Sequence, residues 1–131
     1  MSSGRIKIVG AGLIGTSLGL ALSKQGVEVG LENRSKANLR LAIEYGAGKE
    51  AEGDYELVIV CVSPEMTAEV VVSQLEKHPN ALVTDVASVK AEIAREVARI
   101  APVHADRYIG SHPMAGREKG GPGAARADLF F

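Results

Sequence analysis

The sequence predicts an α/β fold, a doubly wound and mostly parallel sheet with helices on both faces. Three observations carry this. Short apolar runs alternate with amphipathic stretches of ten or more residues. The run Leu57 to Val62 (LVIVCV) is apolar at all six positions, as a strand covered on both faces is. A glycine-rich turn, Gly10 to Gly15, joins the first apolar run to the first helical stretch.

The elements follow in order. Arg5 to Gly10 (RIKIVG) alternates and then runs apolar, which predicts a short buried strand. Leu13 to Gln25 reads as a helix with Ile14, Leu18, Ala21 and Leu22 on one stripe and Gly26 closing it. Gly15 and Gly19 lie one turn apart on that helix, each costing about 1 kcal/mol against alanine. Close approach to a sheet or a phosphate is the usual compensation. Val27 to Leu31 is a second strand. Ser35 caps a helix over Lys36 to Tyr45, which Gly46 ends. A very short strand is expected over Gly48 to Ala51. Leu57 to Val62 is followed, after Ser63-Pro64, by a helix over Glu65 to Lys77, with Pro79 just beyond it. Ala81 to Thr84 is the next strand. Val89, Ile93, Val97 and Ile100, at spacings of four, four and three, mark the cleanest amphipathic helix. Arg107 to Ile109 is a last strand, and the chain after Gly110 reads as loop.

Composition narrows the function classes. The length of 131 residues suits one domain, and 15 basic against 16 acidic side chains give a net charge of −1. Nothing in that balance favours nucleic acid or anionic lipid as a partner. No apolar run approaches the roughly 20 residues of a membrane span. Met1-Ser2-Ser3-Gly4 leads straight into a strand, without a secretory signal, and a single cysteine, Cys61, precludes an internal disulfide. A cytoplasmic location is the expectation. His78, His104 and His112 do not have zinc-ligand spacing. Of 15 glycines, five lie between Gly4 and Gly19 and five between Gly110 and Gly123, marking two places where backbone turns tightly or approaches a ligand. The chain ends on Phe130-Phe131, so residues 1–131 are expected to be one domain cut at its C-terminal end.

The chemistry-bearing residues gather at the ends of the expected strands. Gly10-Ala11-Gly12-Leu13-Ile14-Gly15 fits the dinucleotide fingerprint in its proper strand-turn-helix context. Gly10 makes the turn, Gly12 admits a pyrophosphate, and Gly15 lets helix and strand pack closely. The N–H groups of Leu13, Ile14 and Gly15 at the helix start face the phosphates. Glu32 stands where a carboxylate takes the ribose hydroxyls of NAD, and a 2′-phosphate there meets a like charge. Arg34, two residues on, is able to pair with such a phosphate, so NAD is favoured and NADP is the alternative. The plainer alternative makes Glu32 and Arg34 a solvated surface pair.

Asp85-Val86-Ala87-Ser88-Val89-Lys90 links a strand end to a helix. Ser88 is placed to cap that helix or to bond a substrate oxygen, and Asp85 to hold the loop through backbone N–H groups. The backbone of Cys61-Val62-Ser63-Pro64 is expected to line the nicotinamide side, with Cys61 a small apolar residue rather than a nucleophile. His112, in Gly110-Ser111-His112-Pro113-Met114-Ala115-Gly116, is the candidate proton acceptor, since imidazole titrates near neutrality. His78 and His104 read as surface residues. No Lys-Ser/Thr pair follows the glycines, which argues against a P-loop ATPase.

Together GAGLIGTSLGLAL (Gly10 to Leu22), TDVASVK (Thr84 to Lys90) and GSHPMAGREKGG (Gly110 to Gly121) resemble the N-terminal domain of the prephenate/arogenate dehydrogenase family of tyrosine biosynthesis. The resemblance runs through the whole chain. It implies a Rossmann-like domain and an oxidative decarboxylation with NAD or NADP as hydride acceptor. His112 then takes the proton of the substrate hydroxyl, and Ser88 bonds that hydroxyl or helps place His112. It further implies a second, helical domain outside these residues, through which a full-length chain forms a homodimer and binds the substrate carboxylates. On that basis the 131-residue chain alone turns over substrate poorly or not at all. Asn33 departs from relatives that carry arginine after the acidic residue. Two alternatives stand beside this reading: an NAD(P)-binding module without catalysis of its own, and another hydroxyacid-type dehydrogenase.

Overall fold

A computed structural model describes residues 4–86 and 90–110. Six strands, β1 (Arg5–Val9), β2 (Glu28–Glu32), β3 (Lys49–Glu50), β4 (Leu57–Val60), β5 (Leu82–Asp85) and β6 (Tyr108–Gly110), form one sheet in the order β3-β2-β1-β4-β5-β6. Every pairing is parallel. This is the doubly wound order, and it reverses direction between β1 and β4, where ligands of such sheets sit.

Helices α1 (Leu13–Lys24) and α2 (Lys36–Tyr45) precede β2 and β3, while α3 (Pro64–Lys77) and α4 (Lys90–Ile100) precede β5 and β6. The core is correspondingly double. Ile8, Leu22, Leu31, Leu39 and Ile59 pack on one face of the sheet. Val58, Val60, Val71, Leu75, Val83 and Val97 pack on the other. Alternate residues of β1 and β4 therefore feed both cores, which is why their sequences read as continuous apolar runs.

Helix α2 has the bounds and caps its sequence predicts. The Ser35 hydroxyl accepts the Asn38 N–H at 3.2 Å, and Gly46 closes the helix in the left-handed region at φ 93°. Helix α1 differs from expectation. Its buried face is Gly15, Gly19 and Leu22, whereas Ile14 is 58% exposed. A Cβ on Gly15 would lie 1.9 Å from the Gly10 carbonyl oxygen, and one on Gly19 would lie 2.5 Å from the Ala47 carbonyl oxygen. The stripe is turned because the helix sits on backbone rather than on its own apolar side chains. On α4, Ile93 and Val97 are buried and Ile100 is 42% exposed, so the apolar stripe reaches the core for less than its full length. Val89 lies outside the described residues.

The crossover from β3 to β4 contains no helix, and Arg5 and Tyr55 hold it instead. The Arg5 guanidinium donates to the carbonyl oxygens of Asp54 (2.6 Å) and Glu52 (2.8 Å), and stacks 4.4 Å above the Tyr55 ring. The Tyr55 hydroxyl accepts the Glu52 N–H at 3.0 Å. Gly30 in β2 leaves room for that ring, since a Cβ there would meet the Tyr55 hydroxyl at 2.0 Å.

Candidate dinucleotide site

At the carboxyl ends of β1, β2 and β4 the sheet opens into a cleft of about 480 Å³. Its floor is Val9, Gly10 and Gly12, one wall is Glu32-Asn33-Arg34, and the other combines Cys61-Val62-Ser63 with Met66, Glu69, Val70, Ser73 and Gln74 of α3.

The three fingerprint glycines do different things. Gly10 sits at φ 109°, and a Cβ there would meet the Cys61 carbonyl oxygen at 2.2 Å, so only glycine turns the chain under β4. Gly15 brings α1 down on that turn. Gly12 is the opposite case: a Cβ on it would meet nothing within 4 Å. Gly12 is also the cap residue of α1, with no side-chain cap and no acidic residue in the first turn. The first N–H groups of α1 thus look onto open space at the positive end of the helix dipole. That combination fits the pyrophosphate of a dinucleotide.

Asn33 holds the turn in place. Its Oδ1 accepts the Ala11 N–H at 2.8 Å and its Nδ2 donates to the Ser35 carbonyl at 3.1 Å, while Gly10 N–H donates to the Glu32 carbonyl at 2.7 Å. The side chain of Asn33 is committed to the loop.

Glu32 enters the cleft at the end of β2, but not as half of a surface pair with Arg34. Its Oε1 takes the ammonium of Lys7 at 2.7 Å and that of Lys77 at 3.4 Å. Lys7 is only 2% exposed, in the middle of the central strand β1. It lies on the same face of the sheet as Glu32, because Lys7 pairs with Gly30 and Val9 with Glu32. Burial lowers the Lys7 pKa from its usual value, and Glu32 opposes that shift. Burial pushes the Glu32 carboxyl up, and the two lysines together outweigh it, leaving Glu32 below the usual carboxylate value.

His78 corrects the sequence reading most directly. It is 6% exposed rather than a surface residue, with Nε2 3.0 Å from Lys7 Nζ and its ring edge-on to Tyr55. The lysine donates, so Nε2 accepts and Nδ1 carries the hydrogen. Burial, then the charges of Lys7 and Lys77, lower the His78 pKa. His104 is half-buried, with Nδ1 3.2 Å from an Arg107 nitrogen.

The remaining expected residues divide. Val62 and Ser63 line the cleft beside Cys61, whose side chain is half-buried. Pro64 begins α3 and lines the neighbouring groove between α3 and α4. Leu13 and Ile14 are exposed at the start of α1. Asp85 ends β5 with its carboxylate fully buried, and Oδ2 accepts the Tyr108 hydroxyl from β6. Burial and Asp85 together raise the Tyr108 pKa far above the usual phenol value. Ser88 and His112 lie outside the described residues.

Sequence reasoning missed Lys7, Lys77 and the α3 wall. A signal for Lys7 was present, since a lysine flanked by Ile6 and Ile8 in a central, doubly covered strand has no route to water and needs an internal partner. The α3 wall includes Gln74, 2% exposed, whose Oε1 has no hydrogen-bond partner among the described residues. No cluster of metal-ligating side chains occurs among the described residues, and no helix there is long and apolar enough to cross a membrane.

A parallel sheet with this fingerprint turn and a carboxylate at the end of β2 has the form of a nucleotide-binding domain of the dehydrogenase type. Residues 18–131 match the model of the prephenate dehydrogenase nucleotide-binding domain, and the chain belongs to that family. It is 42% identical over 125 residues to the Streptomyces niveus protein named "Probable prephenate dehydrogenase NovF", covering 94% of this chain and 34% of that one. Identity to the prephenate dehydrogenase of Lactococcus lactis is 29%, over 96% of this chain and 38% of the relative. The chain thus spans between about a third and two-fifths of these two relatives. Among solved structures, Synechocystis arogenate dehydrogenase shares the fold at a TM-score of 0.68 and 22% identity, over 82% of this chain and 46% of that chain.

Proposed function

We propose that this chain is the cofactor-binding part of an NAD(P)-dependent enzyme that oxidatively decarboxylates prephenate or arogenate in tyrosine biosynthesis. The open space over Gly12 at the start of α1, in a chain of this family, carries the reading. NAD is the first choice of cofactor and NADP the second. When bound, such a cofactor supplies a hydride acceptor. The chain's own residues bind and orient. The N–H groups of Leu13, Ile14 and Gly15 hold the pyrophosphate, Glu32 meets the adenosine ribose, and Asn33 keeps the turn rigid between them. The backbone of Val62 and Ser63 bounds the nicotinamide side, and Asp85, tied to Tyr108, fixes the strand end that leads to Ser88.

His112 accepts the proton of the substrate hydroxyl, and Ser88 hydrogen-bonds the same oxygen. Loss of carbon dioxide aromatises the ring, so the protein's work is alignment and proton acceptance. The reading places the enzyme in the cytoplasm, with the rest of the polypeptide supplying a helical, dimer-forming domain and the substrate carboxylate contacts.

The test is turnover of prephenate and arogenate by the longest natural polypeptide carrying this domain, with each cofactor. His112→Asn is expected to lower kcat about 100- to 10,000-fold while leaving dinucleotide affinity unchanged. Dinucleotide binding without turnover of either substrate would instead make the domain a binding module. Turnover of another hydroxyacid alone would move it to a different dehydrogenase.

A further inference from the structure

A lysine in the middle of a central strand is hard to account for by stability. Lys7 is enclosed on β1, and burial strips its ammonium of water. Among the described residues its polar contacts are Glu32 Oε1 at 2.7 Å and His78 Nε2 at 3.0 Å. A buried ion pair is seldom more stabilising than apolar side chains of the same size, so folding alone does not call for one here. What sets this pair apart is its place. Glu32 ends β2 in the wall of the cleft, whereas Lys7 lies two ladder positions nearer the amino edge and does not line it.

We propose that Lys7 is a positioning residue, which fixes Glu32 in the orientation that meets the adenosine ribose without itself touching the cofactor. The inference rests on the dinucleotide reading and on the ribose role of Glu32 given above. A glutamate at a strand end has several rotatable bonds, and when nothing holds it the ligand must bear the entropy of ordering it. Here folding orders it in advance. The Lys7 ammonium reaches Oε1 from a side chain that is itself enclosed, and His78 at the end of α3 fixes where that ammonium sits. Both ion pairs of Glu32 among the described residues use Oε1. The second, to Lys77, is of another kind. At 3.4 Å, from a side chain 56% exposed, it has the geometry of a surface pair and holds the carboxylate only weakly.

The experiment uses the longest natural polypeptide carrying this domain. Calorimetry measures its affinity for NADH and for the analogue lacking the 2′-hydroxyl of the adenosine ribose. The unaltered protein should bind NADH at least about tenfold more tightly than the analogue, as a hydrogen bond to a charged group requires. Lys7→Met is expected to weaken NADH about tenfold and the analogue less than about threefold, so that the two affinities converge. Lys77→Ala should leave the discrimination within about twofold of the unaltered protein. A purely structural role for Lys7 would weaken both ligands alike, and that result overturns the proposal. If Lys7→Met fails to fold, the unaltered protein still decides. A buried ammonium exchanges its protons slowly enough to be seen in a proton–nitrogen correlation NMR spectrum, and the Lys7 signal should shift more on NADH than on the analogue. Equal shifts overturn the proposal, as does an unaltered protein that binds the two ligands alike. If neither NADH nor NADPH binds, the dinucleotide reading itself fails, which is a different result.

Discussion

Strands β1 and β2 carry an ion pair towards each end of their shared ladder, and the two pairs are built differently. At the amino end Arg5 meets Glu28 at 3.1 Å, two backbone carbonyls and the face of Tyr55. At the carboxyl end Lys7 meets Glu32 at 2.7 Å, and Glu32 lines the cleft. The glycines divide the same way. Gly15 and Gly30 are pressed against protein atoms, whereas Gly12 adjoins empty space. A parallel sheet in which every crossover runs the same way leaves its loops and helix starts at one edge, so spare polar capacity accumulates there. The amino edge is spent on holding a crossover that has no helix.

The largest expected difference lies between two glycines of one motif. Gly15→Val should lower stability by about 3 kcal/mol or more, a fall of about 10 °C in Tm, because its Cβ has no room against the Gly10 carbonyl. Gly12→Glu should leave Tm within about 2 °C, since φ −83° suits any residue and nothing lies in the way. It should nevertheless weaken dinucleotide binding at least about 100-fold by filling the space and repelling the phosphates. Equal loss of Tm in both variants would erase the distinction between filled and open glycines.

A smaller effect sharpens the contrast between the two ion pairs. Arg5→Ala is expected to cost about 1–2 kcal/mol in a denaturant melt, through the lost carbonyl bonds and ring contact. Its dinucleotide affinity should match that of the unaltered chain. A change in affinity would mean that the amino edge is coupled to the cleft.

The smallest is a pH dependence confined to the carboxyl-end cluster. The His78 pKa is lowered in the fold, so below about pH 6.5 the unfolded chain takes up a proton that the native one does not. Stability should therefore fall as pH drops from 7 towards 5 and be level above 7. Glu32, also lowered, acts in the same direction further down. Its contribution is complete above its ordinary value of 4.5 and is lost as pH falls through the depressed one. Chemical denaturation at pH 5, 6 and 7 checks this, and His78→Phe should flatten the slope over that range. An unchanged slope in His78→Phe would assign the dependence to other groups.

Local signals were strong where the physics is local. The Ser35 cap and Gly46 stop of α2, the apolar run of β4 and the fingerprint turn are each set by a few neighbouring residues, and all were legible before any coordinates. The burial of His78 was not, because a histidine one residue past a helix end looks solvated until β1 brings Lys7 beneath it, 71 residues away in sequence. Ile14 failed similarly. A helical wheel assigns the core to the larger side chains, but two glycines on another face allow the backbone to sit closer.

The sequence by itself determined the alternation of strands and helices, the turn that opens α1 and the presence of a carboxylate at the end of β2, because chain stiffness, capping and side-chain periodicity act over a few residues. Only the tertiary structure decided which charges that carboxylate meets. Parallel register placed Lys7 diagonally across from Glu32, and α3 brought Lys77 and His78 to the same point. Coulomb energy depends on distances between strands, and no spacing along the chain encodes those.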